Sequence, residues 1–200
     1  MKGNNAMKSK LKPKILVVVP TLRVGAGVAS HVMSYYKKIH DKFDIDFITY
    51  TRIENEYTKE ILKNGGRIFY FEKNMLKNYK QAKSFFSKHA IEYGIIHCHV
   101  VNRGAPCLFF AKKYGIRERI IHVHSPKYSN GLLKSVVASM TARVCLLLAN
   151  RYIACSEQTG KKVFRDKPFK VINNAIDVSW YLGGNRKTVR SELGIDDTTL

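Results

Sequence analysis

A repeated alternation limits the fold of this chain more than any other feature: short β-branched apolar runs are separated by longer amphipathic stretches, several of them ended by glycine. The first run, Lys14 to Pro20 (KILVVVP), is too short for a helix. It is continuously apolar rather than alternating and is closed by proline, which marks a strand buried on both faces. A loop through Gly25 and Gly27 then opens an apolar-periodic stretch from Val28 to Ile39. The rhythm returns as strand 43–50, helix 56–64 stopped by Gly65 and Gly66, strand 67–71, helix 75–93 and strand 95–99. It continues as helix 103–114, strand 119–123, helix 131–150, strand 151–154, helix 156–164, strand 169–172 and a last short helix over 187–193. Strands alternating with helices predict an α/β class with a Rossmann-like, doubly wound parallel sheet covered on both faces.

Composition narrows what such a sheet can serve. With 45% hydrophobic residues among 200, the chain builds an ordinary core, which excludes a disordered polybasic tail as its main character. Its net charge of +20 therefore sits on the surface and favours anionic partners: nucleic acid, phosphate-bearing ligands or an anionic membrane face. The four cysteines, Cys98, Cys107, Cys145 and Cys155, form no CxxC pair and lie mostly in apolar stretches, so they read as reduced, buried thiols of a cytoplasmic protein. Residues 1–13 form a basic leader without the apolar core of an export signal. The stretch from Leu132 to Ala149 is interrupted by Lys134 and Arg143, which argues against a spanning helix.

Ligands of open α/β sheets sit beyond the carboxyl ends of the strands, where loop amides and helix N-termini face outward. The first such segment contains Gly25, Ala26 and Gly27, which can bring backbone N–H groups close to a phosphate or sugar. Ser30 stands where a dinucleotide fingerprint would place its third glycine, so that motif is incomplete. His97-Cys98-His99 and His122-Val123-His124 end two strands expected to be neighbours, and residues i and i+2 of a strand share a face. A four-histidine metal site needs every ring turned to one point and a supporting polar partner, and none is recognisable nearby, so no metal is expected. His97 and His122 are instead expected to pack within the sheet ends. His99 and His124 are expected to face the cleft, with Asn102 and Ser125 as further lining residues. Helix 75–93 places Met75, Tyr79, Ala82, Phe86, Ala90 and Tyr93 on one stripe and Lys77, Lys80 and Lys88 opposite, a basic face suited to solvent or to anionic lipid. The stripe Leu133, Val136, Val137, Met140, Val144, Leu147 and Leu148 reads as core.

In this order of elements the chain resembles the N-terminal domain of a GT-B glycosyltransferase, of the large retaining family (glycosyltransferase group 1, family four) that builds bacterial capsule and exopolysaccharide. The resemblance is carried by Lys14 to His31, by Ile95 to His99 (IIHCH) and by Arg119 to Ser125 (RIIHVHS). It is carried most by Arg151 to Glu157 (RYIACSE) followed by Phe169 to Asp177 (FKVINNAID). It implies a Rossmann-like acceptor-binding domain over 14–180, with 181–200 as linker and the start of a second domain that would hold most of the nucleotide-sugar site. The whole enzyme is then expected to be a retaining hexosyltransferase that moves sugar from a nucleotide sugar to a lipid-linked saccharide in surface polysaccharide synthesis. It needs no cofactor beyond its substrates and works peripherally at the inner face of the cell membrane; the 200-residue chain alone is expected to be inactive. The resemblance matches Gly25 and Gly27 to the loop lining the cleft and His124 to a cleft histidine on the acceptor side, the candidate catalytic residue. Ala26 between the glycines and Ala29 in place of a glutamate depart from the family pattern.

Two other classes compete. A nucleotide-dependent oxidoreductase or epimerase shares the sheet but is weakened by the broken glycine fingerprint. A basic nucleic-acid-binding module suits the charge but lacks a recognition helix, zinc motif or aromatic RNA-binding signature, so no nucleic acid is expected.

Overall fold

The computed structural model describes residues 13–125, 132–175 and 185–196, except for the side chains of 132–139 and 186. The basic leader up to residue 12, the loop 126–131, the linker 176–184 and residues 197–200 lie outside the described residues, as do the side chains of Leu133, Val136 and Val137 in the expected apolar stripe.

Seven parallel strands form one sheet in the order β3-β2-β1-β4-β5-β6-β7. They are β1 Lys14–Val19, β2 Asp44–Thr49, β3 Ile68–Tyr70, β4 Ile95–Cys98, β5 Glu118–Val123, β6 Arg151–Ala154 and β7 Lys170–Val171. The helices between them are α1 Gly27–Ile39, α2 Glu56–Lys63, α3 Met75–His89, α4 Ala105–Lys113, α5 Leu132–Leu148 and α6 Glu157–Phe164, and α7 Arg186–Glu192 follows the last strand. A turn of 3-10 helix over Ala90–Glu92 ends α3 early, where the sequence predicts one helix to residue 93. The doubly wound reading therefore holds, with boundaries moved by at most four residues.

Alternation along β1 explains the two-sided core. Leu16 and Val18 point into a cluster with Phe85 and Phe86 of α3, Cys107, Leu108 and Phe110 of α4, Cys145 of α5 and Phe164 of α6. Val17 and Val19 point the other way, against Val32, Met33 and Tyr36 of α1 and Ile61 of α2. Every residue of β1 from Leu16 to Val19 is buried, which requires the continuous apolar run that period-2 alternation would have denied it. All four cysteines are free thiols; Cys98, Cys107 and Cys145 are buried and Cys155 is half-buried.

Two stripes differ from their sequence reading. On α3 the buried residues are Asn78, Ala82, Phe85 and Phe86, while Met75 and Tyr79 are exposed. Asn78 faces inward because its amide donates to the Arg103 carbonyl at 2.9 Å, a bond that hydropathy cannot foretell. On α5 the buried residues include Ala142 and Cys145, whereas Met140, Val144 and Leu147 are exposed, Leu147 at 72%. That helix carries large apolar residues on more than one side, so periodicity does not choose its inner face, and close packing selects the small residues.

The amino edge of the sheet is tied by charge. Asp46 accepts from the Arg67 backbone N–H at 2.8 Å, from its Nη2 at 2.7 Å and from the Tyr93 hydroxyl at 2.7 Å. Lys14 and Arg67 both reach Glu92 as well. Burial pushes the Asp46 carboxyl up, but the bonds from Arg67 and Tyr93 outweigh it and hold the group below the usual range.

Candidate functional site

The connection order reverses between β1 and β4: α1 leaves β1 for one face of the sheet, and α4 leaves β4 for the other. The helices diverge there and open a crevice at the carboxyl edge, the place where doubly wound sheets bind ligands.

The loop of Gly25, Ala26 and Gly27 follows β1 at the carboxyl edge of the sheet and leads into α1, outside the residues that line the histidine cavity. The Ala26 N–H closes a turn onto the Arg23 carbonyl at 3.1 Å, and Gly25 at φ +81° takes a conformation that suits glycine. Gly27 begins α1, whose N-cap Ala26 has no side chain to accept from the first-turn amides. A Cβ at Gly25 or Gly27 would meet no atom within 4 Å, so packing does not demand glycine at 27. The backbone is open to an incoming group on this side.

Histidines crowd the carboxyl ends of β4 and β5 beneath α1. Pairing of β4 with β5 sets Cys98 beside Ile121, which brings His99 level with His122 on the sheet face that α1 covers. Ring centroids lie 4.2 Å apart for His97 and His99, 4.9 Å for His99 and His122, and 4.3 Å for His122 and His124. A fifth ring, His31 from the first turns of α1, stands 5.2 Å from His122 and 4.8 Å from His124. Both triplets, His31 with His122 and His124 and His97 with His99 and His122, place one ring nitrogen each within 4.8 Å of the others, close enough to hold an ion.

Hydrogen bonds order part of this cluster. His124 Nδ1 lies 3.0 Å from Asn174 Oδ1, and His99 Nδ1 lies 2.8 Å from His124 Nε2. The carboxamide oxygen accepts, so His124 donates from Nδ1 and accepts at Nε2 from His99, leaving His99 a lone pair on its own Nε2. The Ala175 N–H donates to His31 Nδ1 at 3.2 Å, and the Tyr35 hydroxyl donates to the Asn173 carbonyl at 3.5 Å. The segment after β7 is thereby fastened across the crevice.

Burial keeps these rings neutral. It lowers His31 to about 4, His97 to about 3 and His122 to about 2, with neighbouring imidazoles adding to each shift. His99 falls well below the usual histidine value, and His124 falls less because Asn174 supports its protonated form. Neutral imidazoles offer hydrogen bonds and lone pairs rather than charge. Beside them an apolar cavity of about 160 Å³ runs between the histidines and Val32, Tyr36 and Ile39 of α1, Phe47 of β2 and Ile172.

Measured against the sequence reading, His99 lines the cavity yet is buried, and His97 rather than His99 is the half-exposed member of its pair. His124 is half-exposed at the edge, Asn102 sits half-buried in the turn before α4, and Ser125 is exposed. Lys77, Lys80 and Lys88 are exposed on α3, away from the crevice. His31, Tyr35 and Asn174 were not singled out. The signal for His31 was its place one turn after Gly27, on the side of α1 that meets the strand ends.

No protein-family model matches the chain. It is 26% identical over 158 residues to "Putative glycosyltransferase EpsF" of Bacillus subtilis (strain 168), a match covering 76% of this chain and 41% of that protein. Among solved structures it is similar to Anabaena Alr3699/HepE in complex with UDP-glucose, with a TM-score of 0.61, 19% identity, and coverage of 90% of this chain and 50% of that one. It is also similar to a UDP-N-acetylglucosamine 2-epimerase, with a TM-score of 0.58, 12% identity and coverage of 92% and 61%. The chain spans about half the length of the relatives it matches, and the fold it shares with them is a doubly wound α/β half.

Proposed function

We propose that this chain is the acceptor-binding half of a retaining glycosyltransferase of the group 1 type. In this reading a sugar passes from a nucleotide-sugar donor to a growing lipid-linked saccharide of capsule or exopolysaccharide. The observation that carries it is the carboxyl edge of the sheet at its switch point, which holds both an uncapped α1 N-terminus with open glycines and a cluster of neutral, hydrogen-bonding imidazoles. The first element suits a phosphate or a sugar oxygen, and the second suits uncharged hydroxyls.

His124 is the proposed catalytic residue. With Nδ1–H held by Asn174, its Nε2 is a fixed acceptor that an acceptor hydroxyl takes over from His99. In transfer with retention the C1–O bond to the donor phosphate breaks, the electron pair leaves with the phosphate, and the acceptor oxygen bonds C1 from the same face. Its single proton, held at His124 Nε2 in the bound state, turns to the departing phosphate oxygen as the new bond forms, so that His124 positions the hydroxyl and the phosphate ends with the proton. Most contacts to the nucleotide are assigned to a second α/β half.

The exposed lysines of α3, Lys77, Lys80 and Lys88, stand on the helix that also exposes Met75, Tyr79 and Leu76, the last at 77%. Basic and apolar side chains together suit the face of an anionic membrane, at about 1 kcal/mol for each basic residue near the surface. No described helix is long and apolar enough to cross a membrane. Contact is therefore assigned to the protein surface.

The decisive assay incubates the full-length enzyme with UDP-glucose and other UDP-sugars in the presence of extracted membrane lipids. Labelled sugar is expected in the lipid-linked fraction with its anomeric configuration retained. Epimerised nucleotide sugar without transfer, or tight binding of nucleic acid at physiological salt without turnover, would overturn the assignment. For the membrane face, sedimentation with vesicles is expected to require anionic lipid and to weaken with salt; equal binding to neutral vesicles removes the electrostatic argument.

A further inference from the structure

We infer that His97, His99 and His122 form a three-nitrogen site for a borderline divalent transition ion of the zinc class, open on the side of the apolar cavity. The inference does not rest on the sugar-transfer reading and describes the chain without an acceptor, in which His124 Nε2 still accepts from His99.

Three observations meet in it. The parallel register of β4 and β5 puts the three rings on one face of two adjacent strands, with one nitrogen from each within 4.8 Å of the others. His122, only 1% exposed, has no hydrogen bond at either ring nitrogen, and His97 Nε2 is likewise buried without one. Each such nitrogen is desolvated with no hydrogen-bond partner among the described residues to offset the cost. An ion takes up one lone pair from each ring, and these rings are neutral at pH 7 and need not lose a proton first.

The third observation is a supporting shell. Metal-binding histidines fix their free nitrogen by donating the other N–H to a polar partner. His99 does so to His124 at 2.8 Å, and His124 passes the arrangement on to Asn174 at 3.0 Å. That relay leaves His99 Nε2 as a lone pair, and it is the partner which the linear sequence does not reveal.

The relay also chooses between the two histidine triplets. In the rival set of His31, His122 and His124, His31 Nδ1 already receives the Ala175 N–H and both nitrogens of His124 are in use. The free lone pairs belong to His97, His99 and His122. Zinc binds imidazole at about 2.0–2.1 Å in tetrahedral sites, so the rings close inward by small side-chain rotations, for which the adjoining cavity leaves room. No carboxylate belongs to the set, which disfavours Mg2+ and Mn2+ and leaves the fourth position to water or an anionic oxygen.

The experiment uses the 200-residue chain, purified without a histidine tag and stripped with a chelator. Zn2+ is titrated by calorimetry, Co2+ by its visible d–d absorption, and Mg2+ serves as control. One equivalent of Zn2+ is expected to bind, with a thermal midpoint that rises with free metal concentration, and Co2+ is expected to give the intense bands of a four-coordinate ion. His97→Gln, at a half-exposed position that folding tolerates, is expected to weaken binding by 10²-fold or more, as is His122→Gln where it folds. His31→Gln is expected to stay within threefold of the parent. The proposal is overturned if Co2+ gives no such bands, if His97→Gln binds as the parent does, or if His31→Gln abolishes binding while His97→Gln keeps it.

Discussion

Asp46 near the amino edge of the sheet and His122 at its carboxyl edge are buried alike, at 2% and 1% exposure, yet the fold treats them in opposite ways. Asp46 receives Arg67, Lys14 and Tyr93, two cations and one hydroxyl donor. His122 receives nothing at either nitrogen. The amino edge thus holds polar groups that stabilise the sheet, while the carboxyl edge holds polar groups left ready for something else. The contrast separates residues that serve the fold from residues placed at its cost.

The largest expected effect comes from acid. The folded values of His31, His97 and His122, about 4, 3 and 2, lie below the 6.5 of the unfolded chain. The unfolded chain therefore takes up protons that the folded chain refuses, and stability falls as pH drops from 6.5 through those values. At the other edge, burial raises Glu92, but His89, Lys14 and Arg67 together bring it down to about 2 from 4.5. Its contribution is complete above pH 4.5 and is lost between there and pH 2. In chelator, the urea midpoint is expected to decline in two stages, the histidine edge first. A flat midpoint between pH 6.5 and 5 would break the comparison at its carboxyl edge.

Next is Arg67→Met, which leaves Asp46 buried with one cation fewer. Breaking a buried pair in this way costs about 3 kcal/mol, hence about 10 °C in thermal midpoint for a chain of this size. Transfer per folded molecule of the full-length enzyme is expected to be unchanged, because Arg67 stands at the opposite edge from the crevice. A shift below about 2 °C would show that Lys14 and Tyr93 suffice for Asp46.

The two edges were not equally readable from the residues alone. Strand runs such as Leu16 to Val19 announce themselves, because burial on both faces demands unbroken apolar sequence and turns demand glycine or proline. The histidine wall was half visible, since i and i+2 on adjacent strands fix a shared face before any coordinates exist. His31 and Asn174 were not visible: one comes from a helix and the other from the segment after β7, 143 positions apart, and only the tertiary fold joins them. The inner face of α5 was misread for a different reason. Large and small apolar residues compete on a helix with apolar side chains on more than one side, and the small ones, Ala142 and Cys145, win the contact.

A smaller effect, and one on function alone, is expected from His124→Ala in the full-length enzyme. Loss of the hydroxyl acceptor lowers transfer by about 10²-fold, on the scale of a positioning or acid–base contribution. The residue is half-exposed, so the thermal midpoint hardly moves. A large fall in midpoint with near-normal transfer would place His124 with Asp46, among the groups that serve the fold.

The smallest effects on stability distinguish the two glycines of the loop. At Gly25, φ is +81°, and an added Cβ meets no neighbour. The cost of Gly25→Ala is therefore backbone strain alone, about 1 kcal/mol. Gly27 has ordinary backbone geometry at the first position of α1 and equally open space, so Gly27→Ala is expected to leave stability within about 0.5 kcal/mol of the parent. Folding then gives no reason for glycine at 27. If the reason is close approach of a phosphate or sugar to the α1 N-terminus, the methyl group stands in its path, and the full-length enzyme should show a KM for donor or acceptor raised about tenfold with the midpoint unmoved. Unchanged kinetics in Gly27→Ala would remove the loop from the crevice's ligand contacts and leave the histidine wall to carry the site by itself.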